Sequence, residues 1–282
     1  MALESFPPAI LMCTRYFLSG AILLIVAKIK GSHIPRGREL RWSALCGVLI
    51  IGVGTGALVY AEQTVPSGLA SLIITLSPFW FVTFEALLPG GAPIHAPTIV
   101  GMIVGFGGAS LLLLPSAGSA PMGLNLLKGI LVLQIGMIGW CLGSILQRRQ
   151  PVEAHPIVMG AVQQVASSVA FLPVAILAPH PPIVFRARAV WALAYLVVFG
   201  AIIGYSAYAY AISRLPVAVV SIYPYINAVV AVALGWLVYR EPFGRRQLLA
   251  MFVIFCGVAI VKWQNTKFER SGVSSQSLSV VD

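Results

Sequence analysis

Nine times along this chain, a run of about twenty apolar residues lies between charges, prolines or glycines. The runs fall near residues 8 to 28, 42 to 61, 66 to 88, 97 to 114, 127 to 147, 155 to 178, 190 to 212, 217 to 239 and 246 to 264. About twenty residues at 1.5 Å each cross the roughly 30 Å hydrocarbon core of a bilayer. A backbone in lipid must satisfy its own hydrogen bonds, which makes each run a helix. The runs use most of the 282 residues and leave no room for an extramembrane domain. Composition agrees: 59% of residues are hydrophobic and 9% charged, where soluble domains carry about a quarter charged.

The formal charge of +10 does not signal nucleic acid, because Lys and Arg lie in loops and at helix ends, not in an aromatic-interleaved patch. They read as topology signals. The loop KIKGSHIPRGRELR carries five basic residues and is expected on the cytoplasmic side. Counting alternately from it puts eleven basic residues inside, six outside and Arg15 within a helix, with the C-terminus cytoplasmic. Cys13, Cys46, Cys141 and Cys256 each lie in an apolar run without Cys-x-x-Cys spacing, so they read as small hydrophobes and imply no disulfide or metal site. MALESFPP lacks the positive n-region of a cleaved signal. His33, His95, His155 and His180 sit in loops or at helix ends, and no nucleotide-binding motif is visible. No cofactor is implied.

The skeleton of YAEQTVPSGLAS, Tyr60 to Ser71, returns as YAISRLPVAVVS, Tyr210 to Ser221. At the same offset of 150, Val48 and Val198, Gly54 and Gly204, Ala57 and Ala207, Pro66 and Pro216, Gly107 and Gly257, and Ala109 and Ala259 match without a gap. The chain therefore reads as two copies of one helical unit facing opposite ways across the membrane, the inverted-repeat architecture of secondary transporters. Residues 1–115 form the first copy, 127–264 the second, and 265–282 a polar tail expected to be disordered. The counterpart of the helix at 127 to 147 falls at about −23 to −3, so a tenth helix is expected beyond the nine seen.

Four segments carry a family likeness: ALESFPPAILMCTRYFLSGAILL, VYAEQTVPSGLASLI, GWCLGSILQRR and YPYINAVVAVALGWLVYREPFGRRQ. Together they resemble the EamA family of the drug/metabolite transporter superfamily, most closely its YedA-like branch, over residues 2 to about 262. The resemblance implies an all-α integral membrane protein, a bundle of two EamA-type halves, that exports small metabolites, amino acids or drugs across the cytoplasmic membrane. In place of the second half's REPFG, the first half has EALLPGGAP. The alternatives are a passive channel or an integral membrane enzyme. The partners expected are a small-molecule substrate and the lipid bilayer, not nucleic acid; the sequence does not set the oligomeric state.

Several residues could line a solute path. Arg15, about 10 Å into its helix, either snorkels outward, held by an acid such as Glu62, or contacts substrate, since intramembrane charges usually face a bundle interior. Glu85, near the inner end of the 66 to 88 helix, either binds a cation or relays a proton, or is an interfacial helix-end charge. Pro78 and Pro224 interrupt corresponding helices one turn apart in repeat register, and paired interruptions point to a central site. Around them fall Trp80, Trp140, Gln163, Gln164, Tyr205, Tyr208, Tyr223, Tyr225 and Asn227, of which Tyr205 with Tyr208, and Tyr223 with Asn227, share helix faces. Large rings with a few hydrogen-bonding groups suit an organic solute, although Tyr and Trp also pack helices and mark interfaces. Tyr60 and Tyr210, at equivalent helix ends, read as gate or interface residues. Glycines 47, 52, 54, 56, 101, 105, 107 and 108 read as close-packing points between helices, and Arg148 with Arg149 as an orientation anchor.

Overall fold

The computed structural model describes residues 6–91, 94–113, 123–150, 153–177, 186–239 and 244–278. Among them every regular element is helical: α1 (Pro8–Ile29), α2 (Gly37–Ala61), α3 (Ser67–Leu87), α4 (Ala96–Leu113), α5 (Leu124–Arg149), α6 (Pro156–Leu177), α7 (Ala187–Arg214), α8 (Val217–Ser221 and Tyr223–Tyr239) and α9 (Arg245–Leu278). The first seven are long and apolar enough to cross a membrane, with mean hydropathy of 1.6 to 2.1. The chain is a multi-pass membrane protein. Each helix falls on one of the nine apolar runs. α2 starts a turn earlier than its run because the polar GRELRW segment forms its first turns, with Glu39 near the positive end of the helix dipole. α9 continues past residue 264 through the polar segment read above as disordered; such a continuation needs only local backbone bonds. The expected helix ends at 114 and 178, together with His180 and residues 279–282, lie outside the described residues.

The repeat is visible in the backbone. α2 and α7 begin at residues 37 and 187, and α3 and α8 at 67 and 217, each pair 150 apart. Pro66 and Pro216 cap the second pair with φ/ψ of −54/137 and −55/142. Proline suits this place because a helix start has no use for its missing N–H. Both α2 and α7 contain a π-helical stretch, Val48–Thr55 and Leu196–Tyr205, and the two end at equivalent positions.

α3 and α8 are broken. α3 is interrupted between Ile74 and Ser77, and Pro78 follows as the second residue of the new segment. α8 breaks at Ile222, and Pro224 again stands second after it. Each proline lacks an N–H and crowds the carbonyl four residues earlier. Hydroxyls bond back at both breaks: Thr75 Oγ1 donates to Leu72 O at 2.6 Å and Ser221 Oγ to Ala218 O at 2.9 Å.

Two compact units are formed, and each draws on both sequence halves. Unit 1 comprises residues 1–63 and 131–214, so it holds α1, α2, most of α5, α6 and α7. Its core joins Met12, Tyr16, Cys46, Ile50, Ile51, Ala201 and Tyr205. α1 packs on its repeat mate α6. Gly20 permits this, since a Cβ there would lie 2.8 Å from Ala161 O. α5 lies on the π stretch of α2 through Gly136, Gly139 and Gly143, whose added Cβ atoms would meet Ala57, Val53 and Ile50 at 2.7 to 2.8 Å.

Unit 2, residues 64–130 and 215–282, packs α4 against its own repeat mate α9. A Cβ on Gly257 would stand 2.5 Å from the Gly105 nitrogen and 2.6 Å from the Gly101 oxygen, so the two backbones nearly touch. Tyr225 of α8 is fully buried over Gly105 and donates its hydroxyl to Met102 O at 3.1 Å. Of the glycines read as packing points, 47, 54, 56, 101, 105 and 108 do contact a neighbouring helix. Gly107 meets nothing within 4 Å and Gly52 only its own Val48. A glycine count does not say which helix face turns inward.

Candidate functional site

In unit 1, helices α5, α6 and α7 bring four of the sequence candidates together: Trp140, Gln163, Tyr205 and Tyr208. Gln163 is fully buried. Its Oε1 accepts the Tyr205 hydroxyl at 2.7 Å, and its Nε2 donates to Gln147 Oε1 at 3.0 Å. A buried amide is costly unless both ends are bonded, and here both are. Gln163 also lies against Gly47 of α2, where a Cβ would stand 2.5 Å from the glutamine backbone, so the two main chains pack closely there. Beside it Ser167 Oγ reaches both Gly47 O at 2.7 Å and Gln163 O at 2.8 Å.

The second group is Trp140, Tyr208 and Ser144. Trp140 Nε1 donates to Tyr208 Oη at 2.8 Å, and Ser144 Oγ lies 2.7 Å from the same oxygen. Ser144 also donates to the Trp140 carbonyl at 2.6 Å, which spends its proton. Tyr208 is then the donor to Ser144, and each hydrogen has an acceptor. The Trp140 and Tyr208 rings stand 5.3 Å apart at 60°, and the Tyr205 and Tyr208 rings 6.2 Å apart at 36°. The two groups therefore form one wall of rings and amides, carried by helix faces that the i, i+3 spacing of 205 and 208 foretold.

α1 adds a third polar strand. Ser19 donates to the Gln164 side-chain oxygen, and Gln164 Nε2 donates to Ala201 O at 3.4 Å. One turn earlier, the Arg15 guanidinium lies against α7, where a Cβ at Gly200 would stand 2.5 Å from Nη2. Its Cζ sits 5.0 Å from the Tyr16 ring centroid. Arg15 Nε is buried and has no hydrogen-bond acceptor among the described residues. The side chain therefore lies between Gly200 of α7 and the Tyr16 ring.

The other candidates are placed separately. Tyr60, at the end of α2, is 60% exposed, as suits an interface residue. In unit 2, Trp80 stacks on Phe84 at 5.5 Å and 24°. Glu85 is half-buried near the end of α3, Pro78 and Pro224 are buried at the helix breaks, Tyr223 is half-buried and Asn227 is exposed. The sequence reading omitted Gln147 and Ser144, which complete the unit 1 network. Trp140, Ser144 and Gln147 do recur near the 3.6-residue period, but α5 also carries Asn125, Lys128 and Gln134, so spacing alone does not single them out.

Among the described residues no cluster of three or more His, Cys, Asp or Glu could hold a metal. What unit 1 offers is rings, amides and hydroxyls paired with one another, groups able to exchange partners with an organic solute.

The model of the EamA-like transporter family matches residues 1–114 and 127–263. The uncharacterised inner membrane transporter YedA of Escherichia coli K12 is 31% identical over 263 residues, 93% of this chain and 83% of that protein. A probable terminal-alkyne amino-acid exporter of Streptantibioticus cattleyicolor is 31% identical over 112 residues, 40% of this chain and 37% of its own length. A solved crystal structure matches with a TM-score of 0.81 at 20% identity, covering 95% of this chain and 91% of that one, which shows a common fold.

Proposed function

From the premise that the chain belongs to the EamA-like transporter family, we propose that it is a secondary transporter exporting small organic metabolites or drugs by alternating access. The observation that carries the reading is the hydrogen-bonded wall in unit 1 of buried Ser144, Gln147, Gln163 and Tyr205 with half-buried Trp140 and Tyr208. Polar groups are buried in a membrane protein at a cost and commonly mark substrate or ion paths. Rings with three or four hydrogen-bonding groups fit an uncharged or cationic organic solute better than an inorganic ion. The inverted sequence repeat supports alternating access, because two like halves of opposite orientation can exchange conformations to give two states related by a pseudo-two-fold axis. The probable-exporter name of one relative supports the outward direction.

Arg15 and Glu85 are the charged members of this reading. Arg15, against Gly200 and Tyr16, contacts the solute or its counter-anion, and Glu85 carries the coupling cation or proton. In unit 2, Trp80, Tyr223 and Asn227 are the candidates for solute contact and the breaks at Pro78 and Pro224 its flexible points; in unit 1, Tyr60 is a gate or interface residue. The C-terminus is cytoplasmic in this reading, the chain is not an enzyme, and gradients supply the energy.

The test is metabolite release. Cells expressing the chain, compared with cells expressing Tyr208→Ala at equal membrane abundance, are profiled for small organic compounds in the medium. One or more compounds accumulating with the wild type and not with the variant supports export. Identical profiles refute it.

A further inference from the structure

A cavity of about 390 Å³ opens in unit 1 where α5 ends, α6 begins and α7 ends. Arg148, Glu153, His155, Ser213 and Arg214 line it, with Gln147 among them. Its volume lies within the roughly 300–1,000 Å³ of small-molecule sites. Orientation in the membrane needs basic residues only somewhere in a loop. It does not require arginines from the ends of two different helices to share one cavity with a histidine and a buried glutamine.

The cavity wall is held in place. Glu39 of α2 accepts the Ala154 N–H at 3.1 Å and lies 3.0 Å from His33 Nε2, which fixes the entry to α6. His155 Nδ1 accepts the Ile157 N–H at 3.3 Å, so Nε2 is the nitrogen that bears the proton and can donate. The Tyr210 ring stands 6.1 Å from the His155 ring and 5.8 Å from Arg214 Cζ, forming a common platform for the two. Two guanidiniums against the single carboxylate of Glu153 leave the lining net positive even with His155 neutral. His155 and Pro156, in the lining, stand at the start of the 22-residue α6, so the positive end of its dipole lies at the cavity.

Gln147 ties the cavity to the interior. It is 6% exposed, and its Oε1 is taken by Gln163, which leaves its NH₂ to offer a ligand. From there the bonds run on through Gln163 to Tyr205.

We propose that this cavity is an oxyanion site, taking a carboxylate or phosphate group between Arg148 and Arg214 at the outer end of the Gln147–Gln163–Tyr205 chain. The proposal goes beyond transport, since binding here stands whether or not a solute crosses. Guanidinium is the group suited to it, because its planar fork meets two oxygens of a carboxylate or phosphate at once. Such an oxyanion has two sources, a soluble acid or a lipid headgroup.

The experiment uses the full chain in phosphatidylcholine nanodiscs, with thermal unfolding followed against citrate and inorganic phosphate at constant ionic strength and choline chloride as control. Citrate or phosphate is expected to raise the midpoint saturably. In Arg148→Gln and Arg214→Gln the half-saturating concentration is expected to rise at least tenfold. Arg214→Lys, which keeps the charge and loses the fork, falls between. Arg186→Gln, outside the cavity lining, leaves the response unchanged. If nanodiscs containing phosphatidylglycerol already show the raised midpoint, through the same two arginines, the oxyanion is a headgroup phosphate; if they do not, it is the soluble acid. No saturable rise in either disc, or a rise that the Arg148 and Arg214 substitutions leave intact, overturns the proposal.

Discussion

Replacing Gln163 by methionine keeps the length of the side chain and removes both of its hydrogen bonds. Tyr205 Oη then loses its acceptor at 2.7 Å and Gln147 Oε1 its donor at 3.0 Å, and both residues are almost wholly buried. Polar interactions between membrane helices measure about 0.6 kcal/mol on average and up to about 1.7. Two lost bonds therefore cost Gln163→Met about 1 to 3 kcal/mol. Tyr205→Phe alone strands only the glutamine oxygen. In the double variant no stranded hydroxyl faces the introduced methionine, so the two costs do not add, and the double should be more stable than their sum by about 0.6 to 1.7 kcal/mol. The assay is reversible unfolding in mixed micelles by titration with a denaturing detergent, with all four proteins run in parallel. A cost below about 0.5 kcal/mol for Gln163→Met, within the range of ordinary surface changes, or full additivity of the pair, would refute the claim that this amide is a satisfied junction.

Three further outcomes follow from the same geometry. Gly257→Ala, whose Cβ would meet Gly105 and Gly101 backbone at 2.5 and 2.6 Å, should destabilise by about 1 to 3 kcal/mol as overpacking does; Gly107→Ala, with nothing within 4 Å, should be neutral or slightly stabilising in the same unfolding titration. Gly200→Val should displace the Arg15 guanidinium, the flexible end of its side chain, and so lower flux in a transport assay while the unfolding midpoint stays near wild type. Arg15→Ala and Glu85→Gln should each reduce transport and leave membrane insertion intact; wild-type flux in both at normal expression would remove both residues from the path.

The helices were legible because lipid imposes one rule on every span, and nine apolar runs obey it with little interference. The breaks in α3 and α8 were legible too, through Pro78 and Pro224, whereas Pro173 lies inside the unbroken α6, so a proline in an apolar run does not by itself end a helix. The compact units were not. Sequence similarity pairs 1–115 with 127–264, but contacts gather α1 with α6 and α4 with α9 across the two halves. Similarity records common descent and says nothing of which copies of a helix pack together. The π stretches of α2 and α7 also left no signal, because glycine and β-branched residues there are ordinary in a membrane helix. Within the site, shared faces on one helix could be read from spacing, as for Tyr205 and Tyr208. Partners on different helices could not, and so Gln147 was found only when α5 and α6 stood side by side.

The most direct measurement is flux into proteoliposomes containing the purified chain, with a labelled mixture of small organic metabolites as solute and an imposed proton or solute gradient. Saturable, gradient-driven flux that Tyr208→Ala abolishes in a folded protein is the predicted result. Ohmic conductance, or flux that the substitution leaves untouched, would contradict the placing of the solute path along the Trp140–Tyr208–Gln163 wall.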